Sequence, residues 1–399
     1  MGGIVSPTPR ERTGSWLQFG PVRAVFLTLV YGNALLVRLP YLALKFSVPA
    51  LRPVKGWSWS RSLILGMLSS LSVRRFASAH SDRVDAKILP KLGGDGTPVR
   101  IPRLPQPLTG TMGELAQRAG VESVDVHAWW YGESHEGDHK AAQDEKVVLF
   151  FHGGGYMEFC AAPACPISGI PRKYLAAARG KPGIPHKVLS LEYRQSFECD
   201  FPGFVQDAVA AWRYLVEDCG YKPENIVISG DSAGGNLTLA LARYLRDEKP
   251  FGGASAKGLI LHSPWMSLSG SYARAGPEGS FAQNKHVDML NAALLQRAAE
   301  ATVRNLSLKE LSSHYWSAVD LEREEKADLK DFPPALVLGG AFDLLRDEGR
   351  DLVKLYEAPV TYYEEPLAMH DCCAVPIGFE EEHARVAKRT VEWLTQLWA

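Results

Sequence analysis

The chain reads as an α/β protein with a mostly parallel sheet flanked by helices on both sides. Three observations predict it. Strand-like and helix-like patterns alternate from about residue 120 to the end. Several strand candidates are near-continuous apolar runs, "VVLFF", "LILH" and "ALVLGG", as strands covered on both faces require. One strand candidate runs into "GDSAG", Gly230 to Gly234, and a helical pattern opens directly behind it.

In chain order, the predicted strands are Val124–Trp130, Lys146–Phe151, Lys187–Glu192, Asn225–Ser229, Gly258–His262, Ala335–Leu338 and Val360–Glu364. Predicted helices lie between and after them at Phe204–Asp218, Ala233–Glu248, Leu345–Glu357 and Glu380–Trp398. Residues 266–332 break this rhythm with polar, helical stretches and no convincing strand, and are expected to form a helical cap inserted between two strands. The catalytic body is thus expected over residues 113–399. Residues 1–112 are expected to hold apolar and amphipathic helices followed by irregular chain from residue 77, rich in Pro, Gly and charge.

Composition narrows the function. The 399 residues are 46% hydrophobic and 22% charged, with a net charge of −1, so no global field favours nucleic acid. No basic run interleaved with aromatic residues occurs. The six cysteines, Cys160, Cys165, Cys199, Cys219, Cys372 and Cys373, form no C-x-x-C pair, which argues against zinc and for buried thiols in a reducing compartment.

The N-terminus is less ordinary. Ala24 to Val37 is uncharged and bracketed by Arg23 and Arg38, and Ser58 to Phe76 is amphipathic. Two helices packed on the body are one reading. Peripheral membrane contact through residues 21–76, on the cytosolic face of an internal membrane, is the other. The opening "MGGIVS" fits the loose myristoylation pattern, although Pro7 follows it.

"GDSAG" matches G-x-S-x-G in the strand–turn–helix setting the motif needs. In so sharp a turn Ser232 occupies a strained backbone conformation, and side chains at Gly230 or Gly234 would collide. A serine hydroxyl needs a base, and the base an orienting carboxylate. In this chain order the acid precedes the histidine. After the last strand only His370, on a loop in "EEPLAMHD", and His383, inside a helical pattern, remain. His370 is the candidate base, and His383 reads as a solvated helical residue. For the acid, "GGAFDLLRDEG" offers Asp343 and Asp347; Asp343 is nearer the strand end. Negative charge on a substrate oxygen needs fixed backbone N–H donors. "FFHGGGYMEF" supplies a glycine loop after a strand, and Gly154, Gly155 and Ala233 are the candidate donors. His152 is expected to orient that loop, beside Gly153. No lysine-serine pair follows, so a phosphate cradle is a poor fit, and the set calls for no cofactor and no metal.

Together, "HGGG", "GDSAGGN", "FDLLRDEG" and the final-loop histidine resemble the hormone-sensitive-lipase-like family of α/β-hydrolases over roughly residues 120–399. That resemblance implies the α/β-hydrolase fold, a helical cap and a serine carboxylic ester hydrolase acting on an apolar small-molecule ester. Asp231 matches the family's acidic residue before the nucleophile. "LEYRQSFECD" looks like the family segment usually written D-Y-R-L-A-P-E, with Glu192 for the aspartate and "QSF" for L-A-P, which leaves that loop's shape open. The apolar N-terminus is similar to that of membrane-associated members such as arylacetamide deacetylases, and the chain also resembles hydrolases encoded in fungal biosynthetic clusters. Acyl transfer, lactone or amide chemistry share the same triad. A non-catalytic small-molecule receptor of this fold lacks the histidine that is present here.

Overall fold

The computed structural model describes residues 20–71, 95–132, 139–375 and 377–399. The "MGGIVS" opening and the first half of the predicted irregular stretch, residues 77–94, lie outside them. The first described helices are α1 (Gly20–Asn33), which continues through a π turn at Ala34–Arg38 into α2 (Leu39–Ser47), and α3 (Trp59–Leu71). Then follow β1 (Gly96–Ile101), α4 (Gly110–Ala119), β2 (Val126–Gly132), β3 (Val147–Phe151), α5 (Gly169–Ala178), β4 (Lys187–Glu192) and α6 (Gly203–Arg213). The second half holds β5 (Ile226–Asp231), α7 (Ala233–Glu248), β6 (Gly258–His262), α8 (Ser280–Asn284), α9 (Ala292–Ala301), β7 (Ala335–Gly340), α10 (Arg346–Leu355), β8 (Val360–Glu365) and α11 (Glu380–Leu397).

The strands form one eight-stranded sheet in the order β1-β2-β4-β3-β5-β6-β7-β8. β1 and β2 pair antiparallel, as do β2 and β4; every pair from β4/β3 to β7/β8 is parallel. Successive side chains of a strand point to opposite faces, so an apolar run feeds two cores at once. In β3, Val147, Leu149 and Phe151 enter the core on one face while Val148 and Phe150 enter the other. In β5, Ile226 and Ile228 take the first face and Val227 the second.

Three elements differ from expectation. β1 lies where irregular chain is predicted: as an edge strand with one antiparallel neighbour it needs no apolar run, and it tolerates Pro98. α4 begins at Gly110, inside the same stretch. α5, Gly169–Ala178, is missed because glycine and proline crowd its first turn. Between β6 and β7 the chain carries α8, α9 and short 3₁₀ turns, and contributes no strand to the sheet.

Candidate active site

The site is built at the carboxyl ends of the central strands. β5 ends at Asp231, and Ser232 turns the chain with φ 53° and ψ −116°, a sparsely populated conformation costing about 1–3 kcal/mol. Neighbouring backbone holds it: the Ser232 N–H donates to the His262 carbonyl at 2.9 Å, and the Ser232 carbonyl accepts from Trp265 at 3.0 Å. The two flanking glycines have a steric reason. A Cβ at Gly230 would lie 2.3 Å from the Gly234 carbonyl oxygen, and one at Gly234 would lie 2.0 Å from that of Phe151. Because both obstacles are backbone, Gly230→Ala is expected to cost about 3 kcal/mol or more; thermal unfolding checks this, and an unchanged melting temperature would mean the corner tolerates a side chain.

The corner aims Ser232 at two other loops. His370 Nε2 stands 3.0 Å from Ser232 Oγ, and His370 Nδ1 stands 3.1 Å from Asp343 Oδ1. Asp343 Oδ1 also accepts the Leu345 N–H at 2.8 Å, which fixes the carboxylate on its loop. All three side chains are buried; the Ser232 hydroxyl sits under neighbouring loops rather than out in solvent. The structure thus brings Ser232, His370 and Asp343 into one hydrogen-bonded line. The competing candidates lie elsewhere. Asp347 pairs with Arg346 at 2.9 Å and accepts from the Ser280 N–H. His383 is not a solvated residue: it is buried on α11 with Nε2 2.9 Å from the Cys372 carbonyl.

The glycine loop follows β3 beside the serine. Gly154 and Gly155 have φ of 114° and 61°. A Cβ at Gly154 would meet the Glu158 carbonyl oxygen at 2.2 Å, one at Gly153 would meet Asp231 Oδ2 at 2.2 Å, and Gly155 packs under Ala298 of α9. His152 stacks on Tyr193 with ring centroids 4.4 Å apart, and the Tyr193 hydroxyl donates to the His152 carbonyl at 2.6 Å. The Tyr156 hydroxyl donates to Asn236 Oδ1 at 2.8 Å, tying the loop to α7 next to Ala233. The segment after β4 takes its shape from Gln195, whose amide donates to the Glu158 and Phe159 carbonyls at 3.1 and 2.6 Å. Glu192 accepts the Ala161 N–H at 2.6 Å. The substituted residues therefore brace the stretch that follows the glycine loop.

A buried set of carboxyls surrounds the histidine, and of these the sequence marks only Asp231, through its motif position. Asp371 Oδ2 lies 3.0 Å from His370 Nε2, as close as the serine hydroxyl. Asp231 sits behind Asp371, and burial together with the Asp371 charge pushes its carboxyl well above the usual range. Burial and the nearby Asp343 charge raise Asp288 to about 7; Asp288 accepts N–H groups of Met289 and Leu290, and of Leu344 next to Asp343. Glu348 accepts from the Met266 and Ser267 N–H groups and is raised well above the usual carboxylate range by burial. For His370, burial opposes the imidazolium, but Asp371 and Asp343 outweigh it and lift the pKa well above that of a free histidine. Only neutral imidazole accepts a proton from serine, so a reaction using this base speeds up as pH rises, with its midpoint alkaline of the ordinary value near 6.5. Asp371→Asn removes one of the charges that hold the proton. Its acid limb is expected at lower pH than in the parent protein; superimposable rate profiles would place Asp371 outside the titrating unit.

Among the described residues no cluster of His, Cys, Asp and Glu fits a metal ion, and all six cysteines are buried and free.

Residues 148–374, more than half of the chain, match the family described as alpha/beta hydrolase fold. An acetyl-hydrolase of Streptomyces hygroscopicus is 31% identical over 237 residues, covering 58% of this chain and 69% of that protein. A carboxylesterase of Mycobacterium tuberculosis is 28% identical over 230 residues, covering 56% of this chain and 65% of its own length. Among solved structures, an esterase/lipase from an uncultured bacterium superposes with a TM-score of 0.55 at 21% identity, covering 92% of this chain and 98% of that one. A hormone-sensitive lipase from a metagenome library gives 0.54 at 24% identity over 68% and 82%. These structures share the fold. The matched segment runs from β3 through the glycine loop, Ser232 and Asp343 to His370, and on it the chain belongs to the α/β-hydrolase family, among its carboxylic ester hydrolases.

Proposed function

We propose that the chain hydrolyses carboxylic esters of uncharged, apolar small molecules through an acyl-enzyme on Ser232. The observation that carries this reading is the single line Ser232–His370–Asp343, at 3.0 and 3.1 Å, beside the glycine loop. In acylation, Ser232 Oγ bonds to the ester carbonyl carbon while its proton passes to His370 Nε2. Asp343 holds Nδ1–H and stabilises the imidazolium. The carbonyl electron pair moves onto oxygen, where the N–H groups of Gly154, Gly155 and Ala233 receive it. As the tetrahedral centre collapses, the bond to the alcohol oxygen breaks and His370 protonates that oxygen. In deacylation water takes the alcohol's place: it gives a proton to His370, its oxygen bonds to the acyl carbon, and Ser232 leaves with the proton. His152 and Gly153 shape the loop and touch no reacting atom, while Gly230 and Gly234 keep the corner sharp. Asp231 stands behind the line against Asp371. No step calls for a cofactor.

The segment of residues 266–332 acts in this reading as the cap, because Ala298 covers Gly155 and Asp288 braces the Asp343 loop. The resemblance to cluster-encoded hydrolases extends the proposal to esters made in secondary metabolism. Acyl transfer, lactone and amide chemistry diverge only at the acceptor or the bond, after the same serine attack.

A panel of p-nitrophenyl esters of increasing acyl length tests the proposal. Turnover is expected on short and medium uncharged acyl groups, and loss of turnover on charged ones. Equal or better turnover on charged acyl groups would contradict the substrate class. With water and an alcohol competing, free acid is the expected main product; a dominant transesterified ester would make the chain an acyltransferase.

A further inference from the structure

Residues 20–71 form an element whose surface does not suit water. Gly20–Ser47 is one continuous helical run of 28 residues, about 42 Å long. Leu29, Leu36 and Leu44 are 66%, 79% and 76% exposed. Leu35, Leu36 and Val37 are consecutive and all exposed, and together they cover about half of the circumference. A helix lying along a surface shows one apolar stripe; a helix that is apolar around its girth is immersed. Polar contact with another protein fits this surface poorly.

The charge of the element points to lipid. Residues 20–71 carry Arg23, Arg38, Lys45, Arg52, Lys55 and Arg61 and no acidic residue, within a chain whose net charge is −1. Arg61 is used internally, donating to Glu382 and to the Gly378 carbonyl. Arg38 and Lys55 are exposed. Tyr41 and Trp59, exposed beside them, are residue types that favour the headgroup level.

We propose that this element docks the protein on an anionic phospholipid bilayer, with α1 inserted in the hydrocarbon and α2 and α3 at the headgroups. The stretch between positions 23 and 38 is about 22 Å long, and with the exposed Arg38 side chain reaching outward it suits a hydrocarbon core of about 30 Å. That register puts Arg38 at the interface and avoids the cost of a charge at mid-bilayer. It goes one step beyond the peripheral contact expected from the sequence.

The element is fastened to the two loops of the candidate site. The Trp57 indole N–H donates to the Leu367 carbonyl at 2.9 Å, three residues before His370, and its ring meets Phe342, next to Asp343, edge-on at 6.0 Å. Docking therefore holds the hydrolase site close to the lipid, and esters that partition into a bilayer become its natural substrates. This last step rests on the function proposed above; membrane docking does not.

Full-length protein mixed with vesicles of phosphatidylcholine and phosphatidylserine tests both parts. The expected result is sedimentation with the vesicles that survives an alkaline carbonate wash. A variant carrying Leu29→Asn, Leu36→Asn and Leu44→Asn is expected to bind at least tenfold more weakly while hydrolysing a water-soluble short-chain ester at the parental rate. Arg38→Glu with Lys55→Glu is expected to weaken binding to these vesicles more than to phosphatidylcholine alone. Release by carbonate would overturn insertion. Unchanged binding by the leucine variant would overturn the docking surface. So would a lipid-free oligomer that this variant dissociates, since the surface would then join copies of the chain. If vesicle binding holds but the soluble ester is untouched by every form, the hydrolase reading fails and the docking stands.

Discussion

Ser232→Ala is expected to reduce turnover by about 10⁶-fold, because the nucleophile and base act as one unit and the loss of either removes the covalent route. The fold should survive. Among the described residues the hydroxyl has one partner at hydrogen-bond distance, His370 Nε2 at 3.0 Å, and the backbone of the corner is held by His262 and Trp265 whatever the side chain. Steady-state hydrolysis beside thermal unfolding separates the two effects. An inactive variant that is also unfolded would say nothing of chemistry, whereas a folded variant with parental turnover would remove Ser232 from the reaction.

His370→Ala should match that loss, and Asp343→Asn should cost about 10⁴-fold, the scale expected when the imidazole loses the partner that fixes its tautomer. His383→Ala is the informative control. It loses one buried hydrogen bond, to the Cys372 carbonyl, worth about 1 kcal/mol of stability, and no contact with Ser232. Its kcat should stay within a few-fold of the parent. If His383→Ala were the inactive variant and His370→Ala retained turnover, the base would have been placed on the wrong side of the final loop. Asp347→Asn is expected to behave like His383→Ala, since its carboxylate is spent on Arg346 and the Ser280 N–H.

The parts that were legible in the sequence share a physical cause. Central parallel strands such as β3 and β5 are covered on both faces, so burial leaves an uninterrupted apolar run. Gly230 and Gly234 are legible because backbone carbonyls occupy the space a Cβ would need. Serine, acid and histidine are legible because chain order leaves few positions able to meet at one end of the sheet. What was missed lacks such a signature. β1 is an edge strand that answers to a single neighbour, and α5 opens on residues that read as a turn. Asp371, Asp288 and Glu348 escape notice because the burial of a carboxyl is a property of the packed loops; nothing in "MHD" or "KHVDML" distinguishes a buried aspartate from a solvated one. The exposed apolar face of Gly20–Ser47 was likewise visible only in the folded chain, where the described residues leave it uncovered.

The central claim is that one serine, activated by one histidine, forms the covalent bond. Labelling the full chain with a fluorophosphonate, followed by peptide mapping by mass spectrometry, tests it most directly. The expected result is a single adduct on Ser232, with labelling at least a hundredfold slower in His370→Ala. An adduct on another serine, no adduct at all, or labelling indifferent to His370 would contradict it.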